Sequence, residues 1–104
     1  MVRLELTGIQ IKIIWRLSRR SKYGGSHTAM ENALKGFPSH LGRDVREAFY
    51  GLVKLGLVVL RPTGYGMQVS LNKELIPTIR AICLWYADRI PHVEDSQTYG
   101  IEMV

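Results

Sequence analysis

The sequence of 104 residues contains one cysteine and no long apolar run. Cys83 has no second cysteine to pair with, so an intramolecular disulfide is excluded and we expect a cytoplasmic location. A transmembrane helix needs about 18 consecutive apolar residues, and no stretch of this chain reaches that length, so we expect no membrane contact. The first residues mix acids and bases instead of forming an apolar segment, so we expect no signal peptide.

Motifs that carry catalytic or cofactor chemistry are also missing. The sequence has no glycine-rich phosphate loop and no nucleophile elbow, and its cysteine and histidines lack zinc-site spacing. Cys83 lies within an apolar run, where a cysteine is usually a small inert hydrophobic residue. We therefore expect a protein that is not an enzyme and that uses neither a cofactor nor a metal.

Positive charge is what the chain has in excess. The net charge is +5, from 14 lysines and arginines against 9 acids. Residues 93–104 hold three of these acids and no base, so residues 1–92 carry 14 bases against 6 acids, a net charge of +8. Such an excess on a small domain favours a polyanionic partner, above all nucleic acid. Charge alone leaves open a basic soluble protein without such a partner.

Two capping boxes predict where the first two helices begin. The first box, Thr7–Gln10, begins a segment with isoleucines at helical spacing, and the helix should end near Arg19 or Arg20. The second box, Thr28–Glu31, should begin a short helix over residues 29–35. The Gly-Phe-Pro sequence of residues 36–38 should end it, because glycine suits the C-terminal cap and proline disfavours a helical residue before it.

A third predicted helix follows, with Ser39 as its expected cap and Gly56 as its left-handed end. Its apolar side gathers seven residues, Leu41, Val45, Ala48, Phe49, Leu52, Val53 and Leu55. Its polar side holds Gly42, Arg43, Asp44, Arg46, Glu47, Tyr50 and Lys54. Two β-rich segments, residues 57–61 and 67–71, then predict a hairpin with a tip at residues 62–66.

The segment of residues 75–90 is apolar almost all round a helix. Because Pro77 fits only a first helical turn, we expect either a short turn at 73–76 before a helix, or one helix kinked there. One face can pack on the domain's own core, and the rest needs a partner, which favours a homodimer. The residues that we assign to this dimer interface are Leu75, Ile79, Ile82, Trp85 and Tyr86. Residues 93–104 show no period, so this acidic tail is either mobile or docked on a partner.

One pattern in this chain resembles the end of the recognition helix and the start of the wing in bacterial and archaeal winged helix-turn-helix transcriptional regulators. The pattern is Val45-x3-Phe49-x2-Leu52-x3-Gly56-Leu57-Val58. The resemblance covers about residues 5–90. It implies an α+β, mostly helical winged helix: a three-helix helix-turn-helix core, a two-stranded hairpin wing and an additional C-terminal helix. The domain would span residues 1–92, with a dimerisation helix at about 73–90. The implied function is a homodimeric, sequence-specific transcriptional regulator that binds double-stranded DNA.

The resemblance also assigns roles to side chains on this chain. The residues implied to enter the major groove are Gly42, Arg43, Arg46, Glu47 and Tyr50. Those implied to contact the minor groove or its flanking phosphates from the wing are Arg61, Thr63 and Tyr65. Those expected to meet phosphates near helix N-termini are Ser26, His27, Thr28, Ser39 and His40, and the two histidines are expected at the surface rather than as metal ligands.

Alternatives to these roles stay open at the level of sequence. Arg43 and Arg46 can instead pair with Asp44 or Glu47 along a solvated helix face. The basic run Arg16, Arg19, Arg20 and Lys22 is explained as well by a helix end that complements its own dipole as by DNA contact. The acids of the third helix and of the tail favour an adaptor that binds another protein without DNA. An RNA-binding module is a weaker third alternative.

Overall fold

The structure is a computed structural model that describes residues 2–103, so residues 1 and 104 of the predicted domain and tail lie outside it. Four α-helices lie within the described part, namely α1 (Gly8–Arg19), α2 (Met30–Leu34), α3 (Gly42–Lys54) and α4 (Ile76–Ala87). The strands are β1 (Val2–Thr7), β2 (Thr28–Ala29), β3 (Val58–Thr63), β4 (Gly66–Leu71) and β5 (Thr98–Met103). They form two antiparallel sheets, ordered β1–β5 and β2–β4–β3. The predicted α+β class is confirmed.

Helix α1 is the centre of the core and packs against α2, α3 and α4. Its buried residues cover a wide arc, because they include Ile9, Ile11, Ile13, Ile14 and Leu17. The predicted capping box at its start is confirmed. The Thr7 hydroxyl oxygen accepts from the Gln10 backbone N–H at 3.2 Å, and the Gln10 side-chain oxygen accepts from the Thr7 N–H at 2.9 Å. The side-chain amide of Gln10 also donates to the Ala48 carbonyl oxygen at 3.2 Å, which joins α1 to α3.

The prediction of a second capping box at Thr28–Glu31 is wrong. Helix α2 begins at Met30, and its cap position, Ala29, makes no side-chain hydrogen bond. Thr28 instead lies in strand β2, paired with Val69 of β4, and its hydroxyl accepts from the Asn32 amide at 3.0 Å. Pairing with a strand far away in sequence therefore outweighs the local capping signal.

The expected Ser39 cap of α3 is wrong as well. Ser39 begins a single 3₁₀ turn, Ser39–Leu41, and the cap position of α3 is Leu41, which makes no side-chain hydrogen bond. The predicted end of the helix is confirmed, because Gly56 adopts a φ of +79° that other residues rarely reach.

The hairpin β3–β4 has longer strands and a shorter tip than predicted. Thr63 pairs with Gly66, so the tip contains only Gly64 and Tyr65. Proline at position 62 is tolerated inside β3 because β3 is an edge strand of its sheet. The Thr63 hydroxyl accepts from the Tyr65 N–H at 3.1 Å and donates to the Gly66 carbonyl oxygen at 2.8 Å, which fixes the tip.

The first of the two arrangements expected around Pro77 is confirmed. A 3₁₀ turn, Lys73–Leu75, precedes α4, and Pro77 lies in the first turn of that helix. Ile79 and Ile82 are fully buried in the core of this chain. Their prediction as dimer contacts is therefore wrong, because no side-chain surface remains for a second copy. Within residues 2–103, no helix combines the length and the apolar character that crossing a bilayer requires.

The expectation of a mobile or partner-bound tail is wrong for residues 93–103. Strand β5 pairs with β1 along its whole length, and Ile101 is buried. The carbonyl oxygens of Asp95 and Gln97 accept from the backbone N–H groups of Ile9 and Gly8, the first two residues of α1. The segment docks on its own chain, because β1 offers an unpaired edge and α1 offers unpaired N–H donors at its start.

Candidate nucleic-acid interface

Helix α3 has a buried side and an exposed side, as predicted. Its buried residues are Val45, Ala48, Phe49 and Leu52. The exposed residues include every predicted major-groove residue, Gly42, Arg43, Arg46, Glu47 and Tyr50, together with Asp44 and Lys54. The structure thus brings these side chains together on one accessible surface, which we call the α3 face.

The charges of the α3 face are only partly paired. The Arg43 guanidinium lies 3.4 Å from the Glu47 carboxylate, a pair one helical turn apart on the exposed surface. Such exposed pairs contribute little, because water screens them and both side chains lose freedom. Within residues 2–103, Arg46 and Lys54 have no carboxylate at ion-pair distance. The predicted pairing along the helix is therefore found for Arg43 and not for Arg46.

An open groove of about 690 Å³ runs along the α3 face. Its lining residues are Arg43, Arg46, Glu47, Tyr50, Gly51, Val53 and Lys54. Cations and the Tyr50 ring share this groove, so one ligand lying along it would meet several of them at once. At the start of the helix, Gly42 has no heavy atom within 4 Å of the position that a Cβ would occupy, so the backbone there is open to close approach.

The hairpin is held in a fixed position relative to α3. The Leu57 N–H donates to the Leu52 carbonyl oxygen at 3.1 Å, and the Asn72 side-chain amide donates to the Gly56 carbonyl oxygen at 2.8 Å. These bonds tie the end of α3 to the first residue before β3 and to the residue after β4. Two rigid elements, a helix and a hairpin, are therefore presented together.

The three predicted wing residues, Arg61, Thr63 and Tyr65, are all exposed. Tyr65 lies at the tip with 97% of its surface accessible. Thr63 is already used in the hydrogen bonds of the tip. Of these three, Arg61 and Tyr65 have side chains that make no hydrogen bond within residues 2–103, so they remain available to a ligand.

The five predicted phosphate contacts fall into two groups. Ser39 and His40 are exposed in the turn directly before α3, and Ser26, His27 and Thr28 precede α2 beside strand β4. The His27 Nδ1 atom lies 3.0 Å from the Gln68 side-chain oxygen, which ties that segment to the sheet. Neither Ser39 nor Thr28 caps a helix, and Thr28 is half-buried with its hydroxyl bonded to Asn32, so only Ser39 of the two is exposed. Their contact with phosphates stays a prediction.

Arg16 has a structural role that the sequence did not predict. Its guanidinium donates to the carbonyl oxygens of Ala33 and Lys35 and lies 4.8 Å from the centre of the Phe37 ring. Burial lowers the pKa of Arg16; the charge of Arg20 lowers it further, and Tyr86 opposes this. Arg16 therefore fixes the end of α2 and the loop after it.

The remaining predicted dimer residues, Leu75, Trp85 and Tyr86, are half-buried by this chain itself. The Trp85 ring lies 5.2 Å from the Tyr99 ring of β5, and the Tyr86 ring lies 5.3 Å from the Trp15 ring of α1, both edge to face. The exposed apolar residues of this region are instead Leu84, with 63% of its surface accessible, and Ile90. Sequence reasoning missed both, because a helix that is apolar all round does not show which side is covered.

Within the described residues, no three histidine, cysteine or acidic side chains come together as a metal site would require. Comparisons with protein-family models, with curated proteins and with solved structures each find no match to this chain.

Proposed function

We propose that this chain is a winged helix that binds double-stranded DNA as a sequence-specific transcriptional regulator. Helix α3 enters the major groove, and the β3–β4 hairpin is the wing that contacts the flanking backbone. The observation that carries the proposal is the α3 face. It exposes Arg43, Arg46, Tyr50 and Lys54 beside each other, while the opposite side of the same helix is locked in the core.

Arginine at the N-terminal half of α3 suits direct reading of bases. The major groove of B-DNA, about 12 Å wide, admits an α-helix, and an arginine donates two hydrogen bonds to guanine O6 and N7. Arg46 has no acidic partner in residues 2–103, so its guanidinium needs to break no ion pair before it binds. Arg43 exchanges a weak exposed pair with Glu47 for a contact with DNA.

We propose a homodimer as the working form, with a smaller apolar surface than the sequence predicted. Leu84 and Ile90 are exposed on and just after α4, away from the core. Two-fold symmetric dimers are common among such regulators, because a palindromic site then contacts two copies. Sedimentation velocity is expected to show a dimer that Leu84→Asp dissociates. A monomer at all concentrations would refute the dimer but not DNA binding.

Fluorescence anisotropy with a duplex of about three helical turns tests the DNA proposal. We expect binding that weakens steeply with salt, because phosphate contacts release counterions. On a selected site, Arg43→Ala or Arg46→Ala should each cost about 1–3 kcal/mol and relax base preference. Lys73→Ala is the matched control, because it removes an equal charge from the exposed turn before α4, away from α3 and from Leu84. Absent binding at low salt, or equal losses in all three variants, would refute the α3 face as the docking surface.

An adaptor that binds another protein is the second candidate. A groove of about 350 Å³ between the start of α1 and the α3 face includes three acids, Asp44, Glu47 and Asp95. Glu47 pairs with Arg43 and Asp95 pairs with Lys12. These carboxylates repel DNA phosphates and suit a basic protein segment. Failure of the chain to bind any duplex at low salt would favour this function. Competition between double-stranded RNA and DNA of equal length distinguishes an RNA-binding module from both.

A further inference from the structure

A cleft of about 450 Å³ opens between α1 and α4. Its lining residues are Lys12, Trp15, Arg16, Arg19, Arg20 and Tyr86. None of them belongs to α3 or to the β3–β4 hairpin, so the proposed DNA interface does not use this surface. The volume falls within the range of about 300–1,000 Å³ that is typical of small-molecule sites.

Three of the four cations that line this cleft lack acidic partners within residues 2–103. Within residues 2–103, Arg16, Arg19 and Arg20 have no carboxylate at ion-pair distance, whereas Lys12 pairs with Asp95 at the rim. Burial and, less strongly, the neighbouring charge of Arg20 lower the pKa of Arg16, whose guanidinium already donates to the Ala33 and Lys35 carbonyl oxygens. Arg19 and Arg20 lie at the C-terminal end of α1, where the helix dipole favours cations. Their exposed guanidinium groups are therefore the ones that remain to bind an anion.

Two aromatic rings also line the cleft, Trp15 from α1 and Tyr86 from α4. Trp15 and Tyr86 are half-buried and pack edge to face, with ring centres 5.3 Å apart. The Arg19 guanidinium lies 5.8 Å from the centre of the Trp15 ring. Aromatic rings beside arginines are the surroundings in which a planar base stacks while its phosphates are bound.

We propose that the cleft between α1 and α4 binds a free nucleotide, with its phosphates on Arg19 and Arg20 and its base against the wall of Trp15 and Tyr86. The arginine fork matches phosphate oxygens with paired hydrogen bonds, and the charges of Arg19 and Arg20 together match those of a diphosphate. A simple carboxylate would leave one of these two cations unpaired. The same chemistry also occurs in a nucleic-acid chain, and the experiment separates the two sources.

Trp85→Phe makes Trp15 the only tryptophan of the chain, so its fluorescence reports on the cleft directly. Titration of this variant with ADP is expected to give a saturable change in emission. Isothermal calorimetry of the unmodified chain with ADP should give the same dissociation constant, and it decides the matter if the variant does not fold. Adenosine and inorganic pyrophosphate should each bind more weakly than ADP, because each lacks one half of the ligand.

The double variant Arg19→Gln/Arg20→Gln changes exposed residues and should keep the fold. It is expected to raise the dissociation constant for ADP by about tenfold or more. The matched control Arg43→Gln/Arg46→Gln removes equal charge from the α3 face and should leave ADP binding unchanged. Loss of duplex binding in the control with intact ADP binding would show that the two sites are separate. Failure of either proposal is therefore visible without the other.

Four results would overturn the nucleotide site. The first is no saturable response by fluorescence and no heat in calorimetry, and the second is equal ADP affinity in the Arg19→Gln/Arg20→Gln variant. The third is pyrophosphate binding as tightly as ADP, which would mean that no base is recognised. The fourth is an oligoadenylate strand that binds the cleft more tightly than ADP, which would assign it to a nucleic-acid chain instead.

Discussion

Phe49→Ala and Tyr50→Ala remove neighbouring aromatic rings of α3 that lie in opposite surroundings. The Phe49 side chain is 0% exposed and the Tyr50 side chain 48%, although the ring centres are only 5.4 Å apart, edge to face. The two variants therefore test separately the packing of α3 in the core and the ligand-binding surface that α3 exposes. One variant should mainly lower stability and the other should mainly weaken DNA binding.

The magnitudes follow from burial. Truncating a fully buried phenylalanine costs about 3–5 kcal/mol, because the transfer free energy is lost and a cavity remains. Tyr50→Ala loses the edge-to-face contact, which is about 0.5–1.5 kcal/mol, while half of its surface is already in water. The two variants should thus differ by about 2–4 kcal/mol in unfolding free energy. That is a large share of the stability of a small domain.

Urea unfolding followed by far-ultraviolet circular dichroism measures this difference, provided that both variants share one m-value. Anisotropy with the duplex is then measured where both are folded. Tyr50→Ala should weaken binding, and the folded fraction of Phe49→Ala should bind like the unmodified chain. Equal losses of stability would refute the assignment of the two rings. A cost below about 2 kcal/mol for Phe49→Ala would show that the ring does not fill the core.

Three further predictions concern other parts of the structure. Arg61→Ala should weaken all duplexes alike and reduce the salt slope by about one, and a loss confined to one sequence would contradict a phosphate contact. Gly8→Ala should lower the unfolding free energy measured in urea by more than about 1 kcal/mol, because a Cβ at this position overlaps the Glu94 carbonyl oxygen. Gly42→Ala should not lower it in this way, because a Cβ there has open space. Burial raises the pKa of the Cys83 thiol, and a hydrogen bond to Ser18 opposes this. Folded protein should therefore react slowly with a thiol reagent. The free energy of unfolding should fall as the pH rises from the ordinary thiol pKa of the unfolded chain through the raised pKa of the folded chain, because only the unfolded thiol loses its proton readily in that range. Cys83→Ala should abolish this fall.

Local sequence signals predicted a helix correctly where its tertiary contacts favour the same structure. Thr7 and Gln10 form the capping box of α1, and the polar and apolar residues of α3 separate because that helix has one side in the core. Thr28 carries an equally good capping signal, yet its backbone pairs with Val69. The pairing partner lies about forty residues away, so a window of local sequence contains no trace of it.

The candidate surfaces show the same division. Exposure of Arg46 and Tyr50 follows from helical period alone, because both face away from an apolar stripe. The coverage of Ile79 does not, since α1 comes from the opposite end of the chain. The cations of the cleft between α1 and α4 could be grouped from the sequence, because Lys12 and Arg20 lie about two helical turns apart on one side. The position of Tyr86 beside them could not be predicted, because Tyr86 belongs to α4.

The β1–β5 ribbon has a consequence for synthesis on the ribosome. Leu4 and Ile101 pair although they lie 97 positions apart in the sequence, so the ribbon cannot close until β5 has emerged from the ribosome. Until then, α1 lacks the Asp95 and Gln97 carbonyls at its first N–H groups, and β1 remains an open strand. We expect the emerging chain to expose this strand to chaperones during that time. Emergence of β5, rather than collapse of the helices, would then set when the domain becomes native.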